Sequence, residues 1–165
     1  RFPKVLIEAL KIIEKENKKI FDKIRFEVFG SQNFLVLIKI FYFRKYVKLF
    51  APLSYSRSLK IMQEADYLLV IDAPFQKSVF FPSKLVDYMG SDRNVIGITP
   101  EGTARQIIQN MGGYTFSHNN PRKLSAQLLS LFNNEKNSKN NLNKNFINNF
   151  NSEVVGKKFQ ELLQI

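Results

Sequence analysis

The stretch YLLVIDAPFQKSVFFPSKLVDYMGSDRNVIGITPEGT, residues 67–103, decides the fold of this chain. It contains two continuous apolar runs, residues 67–71 and 95–98, which are typical of strands buried on both faces of a sheet. Between them, residues 82–89 predict a helix, because a proline suits the first turn and Gly90 suits the end. Two buried strands joined through a helix predict parallel neighbours in one sheet.

The same alternation of strand and helix extends outward from this stretch over most of the chain. Strands are predicted at residues 24–29, 47–51, 67–71, 95–98 and 114–116, and helices at residues 3–19, 34–46, 55–64, 82–89, 103–111 and 121–132. Such alternation implies an α/β fold, a Rossmann-like doubly wound parallel sheet with helices on both faces. A domain of this kind normally opens on a strand, whereas this chain opens on a helix, so we expect its first strand to be missing.

Two further segments follow this predicted domain, which covers residues 1–132. Residues 133–151 contain 10 asparagines in 19 positions, a composition that predicts a polar, poorly ordered connector. Residues 152–165 predict a final amphipathic helix. The apolar run at residues 34–43 predicts a buried helix, and the alternative is an interface with a missing domain or with a membrane surface.

The composition narrows the class of protein. The chain has 165 residues, enough for one domain, and a net charge of +11 with a pI near 9.9. Such a charge favours anionic partners, although abundant Lys, Asn, Ile and Phe are also typical of AT-rich genomes. With no cysteine and one histidine, His118 in a predicted turn, the sequence excludes disulfide frameworks, thiol chemistry and histidine metal clusters. The lack of cysteine and of a visible secretory signal favours a cytoplasmic location.

The amino end of the helix predicted at residues 82–89 is a candidate anion site. Its first turn would present free backbone N–H groups, to which Ser83 adds a hydroxyl and Lys84 a positive charge. Asp87 lies four residues after Ser83, on the same helix face. A diphosphate near Ser83 and Lys84, with a ribose bound to the Asp87 carboxylate, would make a nucleoside diphosphate site. The plainer alternative is a capped helix, with Ser83 as N-cap and Lys84 and Asp87 as a surface pair.

The same window carries a family resemblance. FPSKL at residues 81–85 is followed by DYMG at 87–90, by a predicted strand and by PEGTA at 100–104. This succession resembles the C-terminal domain of the retaining GT-B glycosyltransferases of the large glycosyltransferase family 4. The resemblance covers residues 1–132 and is strongest at residues 55–104. It implies that the chain is the nucleotide-sugar-binding half of a glycosyltransferase, working in cell-surface polysaccharide or glycolipid synthesis.

The resemblance also implies roles for individual residues. Asp87 would bind the donor ribose, and Ser83 and Lys84, with Phe81 and Pro82 in the same turn, would hold the diphosphate. The resemblance also implies that the base lies against Ala51, Pro52 and Leu53. It implies that the backbone passes close to the donor at Gly30, and that Arg1 and Lys4 contact the leaving diphosphate.

The sequence departs from the family pattern at one informative place. The family carries two glutamates separated by seven residues, whereas here Asp87 replaces the second and Val79 occupies the position of the first. No carboxylate cluster suits a metal, so we expect a metal-independent transfer without a cofactor. The resemblance implies that the transfer is retaining and that a nucleotide sugar is the donor. Lys84, Arg1 and helix amides would stabilise the charge on the departing diphosphate. The acceptor is expected to bind to a missing N-terminal domain, without which this chain should turn nothing over.

Two other functions compete with this interpretation. A non-catalytic, regulatory Rossmann-like module would bind a nucleotide at the same place but would lack sugar transfer. A nucleic-acid-binding domain would need basic residues interleaved with exposed aromatics on one element, which the sequence does not indicate, so no nucleic-acid partner is expected. The lysines near the start most simply form a solvated face. The alternative is attraction to anionic lipid at the inner membrane face through Lys11, Lys15, Lys18, Lys19 and Lys23.

Overall fold

The computed structural model describes residues 3–30, 41–72, 76–134 and 142–163. The helices within them are α1 (Lys4–Glu16), α2 (Lys18–Phe21), α3 (Tyr55–Glu64), α4 (Lys84–Met89), α5 (Thr103–Asn110), α6 (Pro121–Asn133), α7 (Lys144–Asn148) and α8 (Ser152–Leu163). The helix predicted at residues 34–46 falls largely on residues 31–40, which lie outside the described residues. Of the remainder, residues 41–42 are helical and residues 43–46 form turns.

All strand pairs in the described part of the chain are parallel. The three ladders are β1 (Glu27–Phe29) with β2 (Lys48–Phe50), β3 (Tyr67–Ile71) with β5 (Asn94–Ile98) and β7 (Tyr114–Phe116), and β4 (Lys77–Ser78) with β6 (Glu101–Gly102). In the three-stranded sheet, β5 lies between β3 and β7. Parallel pairing of strands that are separated by helices confirms the predicted Rossmann-like α/β fold. The missing first strand stays a prediction.

Helices cover both faces of the β3–β5–β7 sheet, because successive residues of a strand point to opposite sides. Ile96 and Ile98 of β5 pack with α1 and α6 in one apolar core cluster. Val95 of β5, with Leu68 and Val70 of β3, packs with α4 and α5 in a second apolar core cluster. The sheet is therefore the middle of three layers, which explains why its strands are continuous apolar runs in the sequence.

The helix predicted at residues 3–19 is two helices in the structure, and Asn17 explains this correction. The backbone of Asn17 leaves the helical region, with φ −147° and ψ 76°. Its side-chain oxygen accepts a hydrogen bond from the amide of Ile20 at 3.1 Å. Asn17 therefore ends α1 and caps α2. Apolar periodicity continues across this position, so the pattern of hydrophobic residues contains no signal of the break.

The Asn-rich stretch differs from the predicted poorly ordered connector. Residues 144–148 form α7, and Asn143 caps it by accepting a hydrogen bond from the amide of Phe146 at 3.1 Å. Phe146, Ile147 and Phe150 then pack against the second apolar core cluster. The asparagines here occupy capping and exposed positions around these apolar side chains. The high asparagine content of the stretch therefore hides the apolar contact face in the sequence. The domain boundaries themselves stay a prediction.

The final amphipathic helix is confirmed as α8. Its large apolar side chains are exposed, including Val155, Phe159, Leu162 and Leu163. Among the described residues, no helix has both the length and the apolar character that a membrane span requires.

Candidate active site

The loops after β2, β3 and β5 meet at one edge of the fold. In open parallel sheets, ligands bind outside the carboxyl ends of the strands, so a site is expected at this edge. Tyr55 is the first residue of α3 and follows the loop after β2. Its phenol donates a hydrogen bond to Asp87 Oδ1 at 3.2 Å, although the two residues are 32 positions apart. This bond joins the first residue of α3, directly after the loop that follows β2, to α4.

A two-residue ladder holds the loop after β3 against the loop after β5. In it, β4 pairs with β6 through Lys77 with Glu101 and Ser78 with Gly102. Gly102 has φ 139°, a conformation that residues with a side chain rarely adopt. A Cβ at this position would overlap the Ser78 carbonyl oxygen and lie 2.8 Å from its carbon. Glycine therefore permits the close approach that fixes the turn before α4 relative to the start of α5.

The packing of α4 leaves Asp87 on its outer side. Leu85 and Met89, four residues apart, are buried in the second apolar core cluster. Tyr88 donates a hydrogen bond to Leu69 O at 3.4 Å, and its pKa is raised by burial and then by the Asp87 charge. Asp87 is half-buried, and in the described part of the chain Tyr55 is the hydrogen-bond partner of its carboxylate. A carboxylate accepts several hydrogen bonds, so this one retains capacity for a ligand.

The amino end of α4 offers fewer amides to an anion than the sequence predicts. α4 begins at Lys84 rather than Pro82. The amides of Leu85 and Val86 already donate to the carbonyl oxygens three residues earlier, at 2.9 and 3.1 Å. Among the described residues, the amides of Ser83 and Lys84 have no such partner. Two backbone donors, the Ser83 hydroxyl and the Lys84 ammonium are therefore the groups that an anion could contact.

The plain capped helix is not what the structure contains. The Ser83 side chain makes no capping hydrogen bond, and Ser83 has helical φ and ψ rather than the extended values typical of an N-cap. Within the described ranges, no ion pair joins Lys84 to Asp87. In this described segment, the side chains of Ser83, Lys84 and Asp87 are therefore not paired with one another or used to cap the helix.

The contact between Tyr55 and Asp87 can be tested without any ligand. The hydrogen bond to Asp87 and then its negative charge raise the pKa of Tyr55, although the residue is 67 % exposed. In Asp87→Asn, the pKa of Tyr55 should fall toward the ordinary value for tyrosine, because the charge is removed. NMR of the tyrosine ring carbons against pH measures this titration, and Tyr55→Phe assigns the signal. A Tyr55 titration that is identical in both proteins would mean that the contact does not form.

The residues expected to frame a base lie at the same edge as Asp87. Ala51 and Pro52 are exposed and Leu53 is half-buried, at the end of β2 and just before α3. At the end of β1, Gly30 has φ 132°, and its amide donates to Phe50 O at 3.3 Å. Among the described residues, no atom would lie within 4 Å of a Cβ at Gly30. Glycine is therefore needed there for the backbone conformation.

The other predicted site residues are placed less directly. Phe81 stacks on Phe150, with ring centroids 6.5 Å apart and an angle of 6° between the planes, so the Asn-rich stretch supports the turn that contains Pro82. Lys4 begins α1 and pairs with Glu8 at 3.9 Å; no hydrogen bond or ion pair links it to α4 in the described residues. Arg1 lies outside the described residues.

Sequence reasoning missed several residues that shape this edge. Nothing in the sequence pairs Ser78 with Gly102, although a glycine directly before a helix is a signal of special backbone geometry. Asp72 and Thr99 directly follow β3 and β5, and both are buried. The signal for these two residues was a polar side chain at the end of each buried apolar run.

Comparison with known proteins identifies a solved structure of similar architecture. The chain is similar to the crystal structure of a glycosyltransferase from Rickettsia africae ESF-5, with a TM-score of 0.65 and 16 % sequence identity. The match covers 97 % of this chain and 43 % of the other chain, so this chain spans less than half of that glycosyltransferase. No protein-family model and no curated protein matches the chain. At this level of identity, the similarity establishes that the chain has a glycosyltransferase-like α/β fold.

Proposed function

We propose that the chain is the donor-binding part of a glycosyltransferase. A nucleotide diphosphate sugar would bind at the edge formed by the loops after β2, β3 and β5. The observation that carries this proposal is the 3.2 Å hydrogen bond between Tyr55 and Asp87. It joins the carboxylate expected to bind the ribose to Tyr55, which lies two residues after Leu53 in the loop expected to frame the base. Base and ribose are directly bonded in a nucleotide, so the groups that bind them must be neighbours.

The proposed contacts follow the order of the donor's own parts. The base lies against Ala51, Pro52 and Leu53, and the ribose hydroxyls donate hydrogen bonds to the Asp87 carboxylate. The diphosphate then reaches the Ser83 hydroxyl and amide and the exposed Lys84 ammonium. Ser83 and Asp87 are four residues apart, which on a helix separates their Cβ atoms by about 6 Å. Such a spacing suits groups that bind adjacent parts of one ligand.

The proposed reaction breaks the bond between the anomeric carbon and the diphosphate oxygen. The acceptor hydroxyl oxygen forms the new bond to that carbon, the nucleoside diphosphate leaves with the electron pair, and the hydroxyl proton passes to the leaving diphosphate. Lys84 and the adjacent amides would stabilise its charge, with Arg1 and Lys4 as a proposed second contribution. Removing one preorganised donor of this kind typically lowers the rate about 100- to 1000-fold. Among the described residues, no three His, Asp or Glu side chains are grouped to hold a metal ion. A metal-independent transfer is part of this proposal.

The proposal includes a second domain that binds the acceptor, as in a GT-B enzyme related to family 4. The chain spans 43 % of the glycosyltransferase structure that it resembles, which leaves room in such an enzyme for that domain. Retaining sugar transfer, within cell-surface polysaccharide or glycolipid synthesis, is then expected of the two domains together. A regulatory module would bind nucleotide in the same way, and an assay of sugar transfer by the two-domain protein separates these functions.

Nucleotide binding by Asp87→Asn tests the site. The substitution should weaken binding of UDP or GDP by about 10- to 100-fold, because a hydrogen bond to a charged group contributes about 1.5–3 kcal/mol. Isothermal titration calorimetry with the ribonucleotide and with its 2′,3′-dideoxy analogue measures the effect. The analogue should bind weakly to both proteins and show no further loss in Asp87→Asn, since it lacks the hydroxyls that Asp87 would bind.

Two matched variants sharpen this test. Asp66→Asn makes the same chemical change at an exposed position beside the amino end of β3, so it should leave nucleotide affinity unchanged. Lys84→Ala should weaken the binding of the nucleoside diphosphate more than the binding of the free nucleoside, because the ammonium would contact only the phosphates. Equal affinity in Asp87→Asn and the unsubstituted chain would refute the site, and failure of every nucleotide sugar to bind would refute the function.

A further inference from the structure

Exposed cations and aromatic rings gather at the edge opposite to the proposed donor site. They lie on the second half of α1 and on residues 41–46, which lead into the amino end of β2, whereas the donor site follows the carboxyl ends of the strands. We call this surface the basic–aromatic patch and define it by Lys11, Lys15, Phe41, Tyr42, Arg44 and Lys45.

Side-chain contacts join the two parts of the patch into one surface. Lys45 forms an ion pair with Glu14 of α1, and Tyr46 donates a hydrogen bond to the same carboxylate at 2.8 Å. The ammonium of Lys11 lies 4.8 Å from the centre of the Phe43 ring. These contacts hold residues 41–46 against α1, and Phe41, Tyr42 and Arg44 remain exposed.

Two aromatic rings of the patch are largely in solvent. Phe41 is 65 % exposed and Tyr42 is 78 % exposed, and the two rings contact each other edge to face, with centroids 6.4 Å apart. The guanidinium of Arg44 lies 5.1 Å from the centre of the Phe41 ring. Surfaces that dock to a membrane interface typically combine exposed aromatic rings with cations. The rings lie at the level of the lipid headgroups, and the cations contact lipid phosphates.

The positive charge of the chain is concentrated here. Residues 11–25 and 41–48 contain nine Lys or Arg and three Asp or Glu, a net charge of +6 out of +11 for the whole chain. Among the described residues, Lys11, Lys15 and Arg44 form no ion pair. A bias toward lysine codons would spread charge along the chain, whereas more than half of the net charge lies in these two short segments, which include the patch.

We propose that the basic–aromatic patch docks the chain to an anionic lipid bilayer, with Phe41 and Tyr42 among the headgroups and the surrounding cations on lipid phosphates. Arg44 and Lys11 lie over the rings of Phe41 and Phe43, which leaves fewer ring faces on which a nucleic-acid base would stack. Docking through this edge leaves the opposite edge, with the proposed donor site, open to the aqueous phase.

A single tryptophan reports on this docking, because the chain contains none of its own. In Phe41→Trp, emission should shift to shorter wavelength with vesicles of phosphatidylglycerol and phosphatidylcholine, and should stay unchanged with phosphatidylcholine alone. Adding Lys15→Gln and Arg44→Gln should lower the partition coefficient about 25-fold, since each cation contributes about fivefold at an anionic surface. Far-UV circular dichroism checks that each variant is folded.

The matched control removes the same charge elsewhere. Lys157→Gln with Lys158→Gln, both exposed on α8, should leave partitioning in the Phe41→Trp background unchanged. An equal loss in both double variants would overturn the proposal, because attraction would then follow net charge alone. An emission that does not shift with anionic vesicles, or that shifts with a single-stranded oligonucleotide instead, would overturn it as well. None of these measurements depends on nucleotide binding.

Discussion

Gly102→Ala should lower the free energy of unfolding by about 3 kcal/mol or more, since backbone strain and overpacking each contribute about 1–3 kcal/mol. The backbone at Gly102 has φ 139° and ψ −162°, a region that glycine almost alone occupies. A Cβ there would also overlap the main chain of Ser78, which cannot move without separating β4 from β6. Urea denaturation followed by circular dichroism measures the loss.

Gly156→Ala is the control for this substitution. Gly156 lies inside α8, and in the described part of the chain no atom would come within 4 Å of its added Cβ. Alanine there should keep or raise stability, by up to about 1 kcal/mol, because glycine is the poorer helix former. If Gly102→Ala proved as stable as Gly156→Ala, the close approach of the two loops would not exist in the folded protein.

Ile108→Ala should lower the free energy of unfolding by about 4 kcal/mol, in the upper half of the range for such truncations. Ile108 is 0 % exposed and lies in the second apolar core cluster, beneath β5. Its Cδ1 would lie only 2.6 Å from a Cβ at Gly97, so the strand facing it has no side chain that could fill the space left behind. The cavity should therefore persist, and persistent cavities are the most destabilising.

Gln106→Ala provides the comparison for Ile108→Ala. Gln106 is exposed on the same helix, α5, so its substitution should change the free energy of unfolding by less than about 0.5 kcal/mol. Chemical denaturation of both variants under identical conditions gives the two values. A loss below about 1 kcal/mol for Ile108→Ala would mean that α5 does not pack on β5 as described.

The layers of this fold could be predicted from the sequence, because a strand that is buried on both faces is a continuous apolar run. The runs at residues 67–71 and 95–98 are apolar throughout, and the structure places each between helices. The break at Asn17 and the two-residue strand β4 could not be predicted, because each depends on one hydrogen bond or one close approach. Local composition does not contain that information.

The candidate site was only partly predictable for a related reason. The spacing of Ser83, Lys84 and Asp87 along the chain could be taken directly from the sequence. The hydrogen bond from Tyr55 spans 32 positions and depends on how α3 and α4 are set on the sheet. The start of α4 at Lys84 depends on the turn before it, which the pairing of β4 with β6 fixes.

A truncation of this chain that is chosen from its amino-acid composition would remove residues that support the fold. A cut after residue 134, chosen because the asparagines that follow look dispensable, would delete Phe150, the ring stacked on Phe81. It would also remove Phe146 and Ile147, which pack against the second apolar core cluster. Versions of the chain trimmed for crystallography or NMR should therefore retain residues 142–150.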